Sequence, residues 1–322
     1  MIVCLAANPS IDKLFEVDRL VRGDIHRPSS FVEVAGGKGL NVARAARALG
    51  ADVRAVALMR GHTGKWLVDM LGAEGVPCSI VWTHGENRSS LSVADRETGG
   101  LTEFYEHGSE VPEAAWVELV DAAARAWVPG GWLTISGSKP QGAPRDGYRS
   151  LVAEARAAGV RVALDSEGDR LRLALEAEPD VVKVNAAEAG DLLGIPTARR
   201  EEALTAAQKL RALAGGDGHA GVVTRGADGV VVAAPDGTLY EGTLYVRGRY
   251  PVGSGDAFLS GLADGLDSGL ADGLDAGRGN DWEHALRLAL GAATANAEIP
   301  GAGRLDRGRA EALAAQAEVR IP

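Results

Sequence analysis

Residues 250–258 read YPVGSGDAF, a glycine turn that leads directly into an apolar run. A short strand is predicted over 244–246 before the turn, and a helix is predicted after it. Small residues let backbone N–H groups approach an anion closely, and at a helix N-terminus those groups are unpaired and lie at the positive end of the helix dipole. The stretch therefore predicts a phosphate site with Asp256 at its mouth. A simple N-cap is the alternative interpretation of this aspartate.

A second glycine cluster, AGGKGLN at residues 35–41, precedes another predicted helix. Gly37 allows the backbone to approach a ligand, and Lys38 offers a positive charge. Asn41 lies one turn into the helix. The cluster is not a Walker A loop, because GxxxxGKS/T occurs nowhere in the chain, and it is not a Rossmann fingerprint. By itself it also fits a glycine-rich turn with a surface lysine.

Short apolar runs alternate with segments rich in Ala, Leu, Glu and Arg, which are strong helix formers. This order is typical of β-α units around a largely parallel sheet, with Gly159 as a helix C-cap. The predicted strands are 53–58, 132–135, 160–164, 181–184 and 221–223. The predicted helices are 113–126, 148–158 and 201–213.

Two stretches break this rhythm and alternate with a period of two, residues 14–34 and 88–105. Gly99 and Gly100 predict a hairpin turn in the second stretch. Together the two stretches predict a small antiparallel flap beside the main sheet. A flap of this kind can exclude water during phosphoryl transfer.

Residues 261–276 contain a near-repeat, GLADGLDS followed by GLADGLDA. Its glycines weaken helix formation, so we expect a lengthened surface element rather than a functional module. A polar loop is expected over 278–281.

Composition excludes several classes of protein. A formal charge of −10 on 322 residues argues against nucleic acid or an anionic membrane as the partner. Cys4 and Cys78 are far apart and outside any metal-ligand spacing, and the six histidines show no metal pattern. The apolar run at residues 1–7 is too short for a signal peptide or a spanning helix, so we expect a cytoplasmic protein with one main domain.

The chain resembles the ribokinase-like, phosphofructokinase B family of carbohydrate kinases over essentially its whole length. The best match is the hexose-phosphate branch of tagatose-6-phosphate kinases and 1-phosphofructokinases. Departures from that branch are Tyr250, Val184 and Arg225. The matching segments are NPSID (8–12), GGKGLNVARAARALG (36–50), SGSKP (136–140), KVNAAE (183–188), TRGADG (224–229) and PVGSGDAFLSGL (251–262).

This resemblance implies an α/β, ribokinase-like three-layer fold in which residues 1–322 form one kinase domain. The lid segments are expected at about 12–35 and 88–108. It also implies that Asp256 takes the proton of the attacking sugar hydroxyl, while Gly253, Ser254 and Gly255 form an anion hole. Because a helix N-terminus stabilises a carboxylate, we expect a lowered pKa for Asp256 and an ionised side chain.

On the substrate side, the resemblance implies that Asp12 hydrogen-bonds sugar hydroxyls from the end of the first strand. A turn-forming aspartate is the alternative. Arg88, on the flap, is suited to a forked contact with a phosphate, and a solvated surface arginine is its alternative. Lys38 is the second candidate for gripping that phosphate. The full substrate set is Asp12, Gly37, Lys38, Asn41, Arg88 and Ser136.

On the nucleotide side, the resemblance implies ATP and Mg²⁺ as cofactors. Glu188 is expected to organise magnesium through its waters, because Mg²⁺ keeps several waters and few direct carboxylates. Asn296 is expected near the adenine, with plain helix packing as its alternative. Asp165 is interpreted as a helix cap and is not included in the site. The full nucleotide set is Lys183, Asn185, Glu188, Thr224, Gly226, Gly229 and Asn296.

The predicted reaction is ATP-dependent phosphorylation of a ketohexose phosphate. Tagatose 6-phosphate, fructose 1-phosphate and fructose 6-phosphate rank together, with the first slightly ahead on the strength of PVGSGD. Two alternatives stay open, a kinase for a nonphosphorylated sugar or nucleoside and a noncatalytic sugar-phosphate sensor. The flap resembles one used for dimer contacts in related kinases, which makes a homodimer a candidate assembly.

Overall fold

The computed structural model describes residues 1–271 and 282–322. The strands of this part of the chain are β1 (Ile2–Ala6), β2 (Ser10–Val17), β3 (Ser30–Gly36), β4 (Val53–Arg60), β5 (Cys78–Thr83), β6 (Arg88–Asp95), β7 (Leu101–Tyr105), β8 (Trp132–Ser136), β9 (Arg161–Asp165), β10 (Val181–Asn185), β11 (Ala220–Thr224), β12 (Val230–Ala233), β13 (Leu239–Thr243) and β14 (Glu318–Arg320). The helices are α1 (Lys38–Leu49), α2 (Gly61–Ala73), α3 (Glu113–Ala126), α4 (Gly147–Ala157), α5 (Gly168–Leu175), α6 (Ala186–Leu193), α7 (Arg200–Leu213), α8 (Ser254–Ala271), α9 (Trp282–Glu298) and α10 (Arg307–Ala314). A 3-10 turn spans Gly226–Asp228.

The main sheet runs in the order β14-β13-β12-β11-β10-β9-β8-β1-β4-β5 among the described residues. Its strands from β11 to β5 pair in parallel, whereas β12, β13 and β14 form an antiparallel edge. Parallel strands need crossover connections, which the intervening helices supply. The predicted β-α units and largely parallel sheet are therefore confirmed.

The first strand shows why the fold has three layers. Ile2, Cys4 and Ala6 belong to the core beneath α1, α2, α8 and α9. Val3 and Leu5 point the other way, into the core beneath the helices from α3 to α7. Because successive side chains alternate between the two faces of a strand, a continuous apolar run places both faces in a core.

The predicted central strands and helices are present, with boundaries that differ by a residue or two. Gly159 follows α4 with a φ of +73° and donates its N–H to the Arg156 carbonyl, as expected of a residue that ends a helix. The strand predicted over 244–246 is wrong, because β13 ends at Thr243. The chain beyond it leaves the sheet and packs on the end of α9, where the Tyr250 N–H donates to the Ala297 carbonyl at 2.8 Å.

The predicted flap is a second sheet in the order β3-β2-β6-β7, called the lid below. Its outer pairs, β2 with β3 and β6 with β7, are antiparallel, and its central pair, β2 with β6, is parallel. The Gly99–Gly100 turn closes the β6–β7 hairpin, with the Asp95 N–H donating to the Gly100 carbonyl at 2.9 Å.

The first half of the 261–276 near-repeat belongs to α8 and is not a surface element. A Cβ at Gly261 would lie 2.8 Å from the Leu288 carbonyl oxygen, and one at Gly265 would lie 2.6 Å from the Ala285 Cα. The glycines therefore allow close packing of α8 on α9. The second half of the repeat lies outside the described residues from 272 onward, and so does the loop predicted at 278–281. Within residues 1–271 and 282–322, no helix combines the length and hydropathy needed to cross a bilayer.

Candidate active site

A cleft of about 1300 Å³ lies between the lid and the carboxyl ends of the central strands. In α/β sheets, the carboxyl ends of parallel strands are where ligands bind. The lid contributes Asp12 and Arg88, and β8, β10 and β11 contribute their last residues, Ser136, Asn185 and Thr224. The glycine turn at 253–255 forms another part of the wall. The fold thus brings most of the predicted residues to one place.

The glycine turn is built for close backbone approach. Gly253 has a φ of +83°, and a Cβ there would lie 2.6 Å from the Ala302 Cα, so a larger residue would displace the neighbouring loop. α8 begins at Ser254, and the residues of its first turn, Ser254, Gly255 and Asp256, line the cleft. The Ser254 N–H donates to the Pro251 carbonyl at 3.1 Å. A Cβ at Gly255 would lie 3.0 Å from the Lys183 Nζ. The missing side chain lets this ammonium approach the turn.

Asp256 is 5% exposed, and one of its carboxylate oxygens, Oδ2, accepts a hydrogen bond of 2.9 Å from the Asn41 Nδ2. Burial raises the pKa of Asp256 to about 6, although Lys38, Lys183 and the Asn41 bond act in the opposite direction. The expected lowering of this pKa is therefore wrong. The helix terminus contributes only a partial charge, which does not replace the water that burial removes.

Asp165 is not in the predicted set of site residues, yet it connects Lys38 and Lys183 beneath the cleft. It is fully buried, and its two oxygens accept hydrogen bonds from the Lys38 Nζ at 2.9 Å and the Lys183 Nζ at 2.5 Å. Burial acts to raise the pKa of Asp165, but the two ammonium groups outweigh it and hold the pKa at about 2. The helix-cap interpretation is wrong, because the side chain points to the lysines. Only its position at a strand end signalled it.

The same contacts correct the role predicted for Lys38. Its Nζ lies 4.0 Å from the Glu188 Oε1 in addition to its bond with Asp165, and Asp165 raises the pKa of this lysine above its usual range. Lys38 therefore faces the Asp256 and Glu188 end of the cleft. Its position does not suit a grip on a phosphate that the sugar already carries.

Asp12 lies within β2 and lines the cleft, so the turn-forming alternative does not apply. Its Oδ2 accepts the Gly37 N–H at 3.1 Å, and its Oδ1 accepts the Ser10 hydroxyl. Burial raises the pKa of Asp12, and these two hydrogen bonds partly oppose the rise. The lid strand is thereby tied to the turn that begins α1.

Arg88 reaches the cleft from β6 without a carboxylate partner. Its hydrogen bonds go to neutral acceptors, the Asn8 carbonyl at 3.3 Å, the Ser90 hydroxyl at 3.3 Å and the Glu106 carbonyl at 3.4 Å. Within the described part of the chain, no Asp or Glu oxygen forms a salt bridge with it. Asn8, which sequence reasoning did not include, also donates to the Ser138 hydroxyl at 3.1 Å and so joins the lid to the loop after β8.

Ser136 ends β8 at the floor of the cleft and is 4% exposed. Its buried hydroxyl has no hydrogen-bond partner among the described residues. Buried hydroxyls are normally paired, so an unpaired one at a cleft floor suits a ligand contact.

Asn185 and Glu188 form a capping box at the start of α6. The Asn185 side chain accepts the Glu188 N–H at 2.9 Å, and the Glu188 Oε2 accepts the Asn185 N–H at 2.8 Å. The second Glu188 oxygen is the one near Lys38. An oxygen donor of this kind fits Mg²⁺, which binds few carboxylates directly. Among the described residues, no three or more His, Cys, Asp or Glu side chains cluster in a way that could hold a metal ion.

Two residues of the predicted nucleotide set support the cleft rather than line it. Asn296 is fully buried, and its Nδ2 donates to the Val252 carbonyl at 3.0 Å and the Ser254 hydroxyl at 3.3 Å. Its role as an adenine contact is therefore wrong, since the side chain secures the glycine turn from beneath. Gly229 lies in the β11–β12 turn with a φ of +89°, and a Cβ there would collide with the Gly242 carbonyl oxygen of β13. Thr224 and Gly226 do line the cleft, as does Lys183.

Comparisons with known proteins agree with this geometry. A family model described as pfkB family carbohydrate kinase matches residues 5–306. A protein of Haloferax volcanii named 1-phosphofructokinase is 33% identical over 264 residues, which cover 81% of this chain and 83% of that protein. A protein of the same name from Xanthomonas campestris pv. campestris is 31% identical over 268 residues, covering 81% of this chain and 82% of that protein.

Among solved structures, Escherichia coli phosphofructokinase-2 in complex with substrates and products superposes with a TM-score of 0.85. It is 25% identical to this chain, and the match covers 98% of both chains. This likeness confirms the predicted three-layer α/β fold with its small second sheet.

Proposed function

Because the chain belongs to the pfkB family of carbohydrate kinases, we propose that it transfers a phosphoryl group from ATP to a hydroxyl of a ketohexose phosphate, giving a ketohexose bisphosphate and ADP. ATP as the phosphoryl donor follows from the family. The side chains that line the cleft support a sugar phosphate as the acceptor. Residues 1–322 are proposed to work as one kinase domain, with its lid at about 12–35 and 88–108.

The observation that carries this proposal is that Arg88 lines the cleft without a salt bridge among the described residues, while Asp12 and Glu106 act on its charge only from a greater distance. A guanidinium that lines a cleft and has only neutral partners at 3.3–3.4 Å leaves much of its charge available to an anion. Asp12 lies on β2, the strand next to the one that carries Arg88. It pairs with Ser90, which is two residues after Arg88 on β6. A ligand that carries hydroxyl groups beside a phosphate satisfies both side chains.

The residues around Asp256 suit the transfer step itself. With a pKa of about 6, the Asp256 carboxylate is ionised at neutral pH. Because this pKa lies near the working pH, the carboxylate can also accept a proton from the attacking hydroxyl. The N–H groups of Gly253 and Gly255 are proposed to stabilise the charge that develops on the transferring group. The Ser254 N–H donates to the Pro251 carbonyl at 3.1 Å and is not part of this set. Lys38 and Lys183, held by Asp165, supply positive charge at the same end. Magnesium bound near Glu188 through water would neutralise nucleotide phosphate charge.

Within this class we place fructose 1-phosphate first. The Haloferax volcanii and Xanthomonas campestris relatives, each more than 30% identical to this chain, are both named 1-phosphofructokinase. That support outweighs the thin margin by which the PVGSGD segment favoured tagatose 6-phosphate. Fructose 6-phosphate and tagatose 6-phosphate follow as competing substrates.

The test is a substrate panel measured as kcat/KM. It contains fructose 1-phosphate, fructose 6-phosphate, tagatose 6-phosphate, free fructose and ribose, on wild type, Arg88→Ala and Arg19→Ala. Arg19 is the matched control, since it lies on the lid, pairs with Glu97 at the surface and does not line the cleft. We expect a phosphorylated ketohexose to win on wild type, and Arg88→Ala to lower its kcat/KM by about 10²-fold.

A free sugar that wins on wild type would favour the alternative kinase class. Absence of ADP release with every sugar phosphate, together with measurable sugar-phosphate binding, would favour a sensor. If Arg88→Ala lowers kcat/KM for the sugar phosphates no more than Arg19→Ala does, Arg88 does not bind the phosphate of the substrate.

The outer face of the lid carries the exposed aromatic side chains Phe31 and Phe104, and we propose that this face joins two copies of the chain. The proposed location is the cytoplasm, where ATP and sugar phosphates are both available.

A further inference from the structure

Arg44 is an arginine of α1 that lies inside the protein, with 4% of its surface exposed. Its Nε donates to the Glu74 Oε2 at 2.7 Å, and its Nη1 donates to the Asn41 Oδ1 at 3.2 Å and to the Ala302 carbonyl at 3.0 Å. Its Nη2 donates to the Ala35 carbonyl. Burying a charge costs free energy unless the charge is paired and hydrogen-bonded. Arg44 meets this requirement through Glu74 and its three other acceptors.

Three of the four acceptors belong to segments that form the proposed catalytic site. Ala35 immediately precedes the glycine turn at which Asp12 is anchored. Ala302 packs against Gly253, the first residue of the glycine turn before α8. Asn41 donates to Asp256. The fourth acceptor, Glu74, lies just after α2, outside the cleft lining, and balances the charge of the guanidinium.

The contact with Asn41 decides which end of its amide faces Asp256. A carboxamide has a donor end and an acceptor end of nearly the same size, whereas a guanidinium has only donors. Arg44 can therefore donate only to the Oδ1 end of the amide, which leaves the Nδ2 end to donate to the Asp256 Oδ2 at 2.9 Å. The second Nδ2 hydrogen is left for the cleft, which Asn41 lines.

We propose that Arg44 is a positioning residue for phosphoryl transfer: through Asn41 it presents an N–H to one oxygen of Asp256, and through Ala35 and Ala302 it fixes the two glycine turns on either side of that carboxylate. The other Asp256 oxygen is thereby kept for the proton of the sugar hydroxyl. This inference rests on the proposed role of Asp256 as the acceptor of that proton.

The donor from Asn41 stabilises the ionised form of Asp256, so its loss raises the pKa of that carboxylate. The charged groups facing Asp256 are Lys38 of α1, Asp165 at the end of β9 and Lys183 of β10, and none of them is bonded to Arg44. A change at Arg44 therefore reaches Asp256 through the amide. Since the base acts in its ionised form, the acid limb of the kcat/KM profile should move to higher pH.

The central variant is Arg44→Lys, which keeps the charge but cannot place donors on Asn41, Ala302, Ala35 and Glu74 together. Its matched control is Arg47→Lys, the same change one turn further along α1. Arg47 is exposed, and its Nε donates to the Gly75 carbonyl at 2.9 Å, near the end of α2, but it contacts no residue of the cleft. We expect Arg44→Lys to lower kcat about 10-fold or more and to move the acid limb up by about one pH unit. The KM for ATP should stay within about twofold of wild type.

Non-additivity gives the second measurement. In an Asn41→Ala background, Arg44→Lys should add little further shift of the acid limb, because the amide through which it acts is gone. Glu74→Gln, which keeps an acceptor for the Arg44 Nε but loses the charge, should move the limb in the same direction by less. This milder variant tests the proposal if Arg44→Lys fails to fold, as judged by thermal unfolding and nucleotide titration.

The proposal is overturned if Arg44→Lys and Glu74→Gln leave the acid limb in place, or if Arg44→Lys shifts it equally with and without Asn41. It is also overturned if Arg47→Lys matches the effect of Arg44→Lys. These outcomes are read on an active wild type whose activity depends on Asp256. An inactive wild type, or an active Asp256→Asn, would instead remove the proposed function on which this inference rests.

Discussion

At the scale of single residues, Asp256 is buried, yet its proposed role as a proton acceptor requires an ionised carboxylate. Asp256→Asn should keep the fold and nucleotide binding but lower kcat by about 10²-fold or more, because the amide cannot take the proton of the hydroxyl. The wild-type kcat/KM should fall as the pH drops below about 6, where the carboxylate becomes protonated. Steady-state kinetics across pH 5 to 8.5 check both expectations. Turnover near the wild-type level in a folded Asp256→Asn would contradict the assignment.

The same substitution should stabilise the protein at neutral pH. The pKa of Asp256 rises from its usual 3.8 to about 6 in the folded state, so the folded protein disfavours the ionised form. The penalty is full above pH 6, shrinks as the pH falls, and vanishes below about 3.8, where both states bind the proton. We therefore expect the free energy of unfolding of Asp256→Asn to exceed that of wild type at pH 8 by on the order of 3 kcal/mol. A difference that grows toward pH 4.5 in denaturant titrations would have the wrong sign.

Glu188 has a structural role and a proposed magnesium role that substitution can separate. Glu188→Gln keeps an oxygen to accept the Asn185 N–H, so α6 should remain capped while the charge is lost. Activity should fall and be partly restored by added Mg²⁺. Glu188→Ala should in addition lower stability by about 1 kcal/mol through loss of the cap. Magnesium titrations of kcat and thermal unfolding separate the two effects, and an unchanged titration for Glu188→Gln would remove its proposed role.

Residues that carry local signatures could be predicted from the sequence, whereas residues defined by distant contacts could not. Asp256 follows a glycine turn and Asn185 precedes its capping partner, and both patterns are contained in a few adjacent letters. Asp165 matters because two lysines from distant segments converge on it. Nothing in the neighbourhood of Arg44 announces that it is buried. The sequence predicts the wrong direction for the pKa of Asp256 for the same reason, since a short motif carries no information about the water that burial removes.

At the scale of elements, one contact joins the lid to the segment that leads into the glycine turn. The Glu16 carboxylate of β2 accepts the Tyr250 hydroxyl at 3.1 Å and lies 3.5 Å from the Arg249 guanidinium. It also accepts the Ser30 hydroxyl of β3 at 2.7 Å. The contact therefore ties the strand that carries Asp12 to the loop that carries Gly253.

Tyr250→Phe removes only the hydroxyl of this contact. We expect the KM for the sugar phosphate to rise about fivefold with little change in the KM for ATP, because one hydrogen bond contributes about 1 kcal/mol. Tyr245→Phe is the matched control, since Tyr245 lies in the same segment but is 81% exposed. Initial rates with each substrate varied in turn make the comparison. Equal effects of the two substitutions, or a rise in the KM for ATP alone, would contradict the coupling.

Elements with a clear period were predictable, and elements shaped by packing were not. The hairpin at Gly99–Gly100 and the helix at Glu113–Ala126 follow from turn residues and helix formers. The strand expected at 244–246 has the right residue types, but the end of α9 takes the place of a strand partner. The glycines at 261 and 265 suggested a weak helix, because their use in packing α8 on α9 appears only in three dimensions.

At the scale of the whole molecule, the two faces of the lid differ. Asp12, Ser90 and Tyr105 face the cleft, whereas Phe31 and Phe104 on the opposite face are 65% and 57% exposed. Phe15 packs edge-on against Phe31 within this outer face. Exposed apolar patches of this kind commonly mark interfaces between proteins.

Replacing outer-face aromatics should therefore weaken the proposed dimer. Phe31→Lys combined with Phe104→Lys should move the sedimentation coefficient from the dimer value toward the monomer value at micromolar concentration. Val117→Lys, which charges an exposed apolar site on α3, should leave the assembly unchanged. A wild type that sediments as a monomer across the concentration range would contradict the proposal.

The parallel pairing of β2 with β6 also constrains how the chain reaches its native state. The four lid strands come from two separate parts of the polypeptide, and α1, β4, α2 and β5 lie between them. Neither part can complete the lid before the intervening units have folded back, since contacts between distant segments wait for the loop between them to close. During synthesis and refolding, the capacity to hold a sugar should thus be acquired after the nucleus of the large sheet. The lid also cannot be excised or transplanted as one continuous piece.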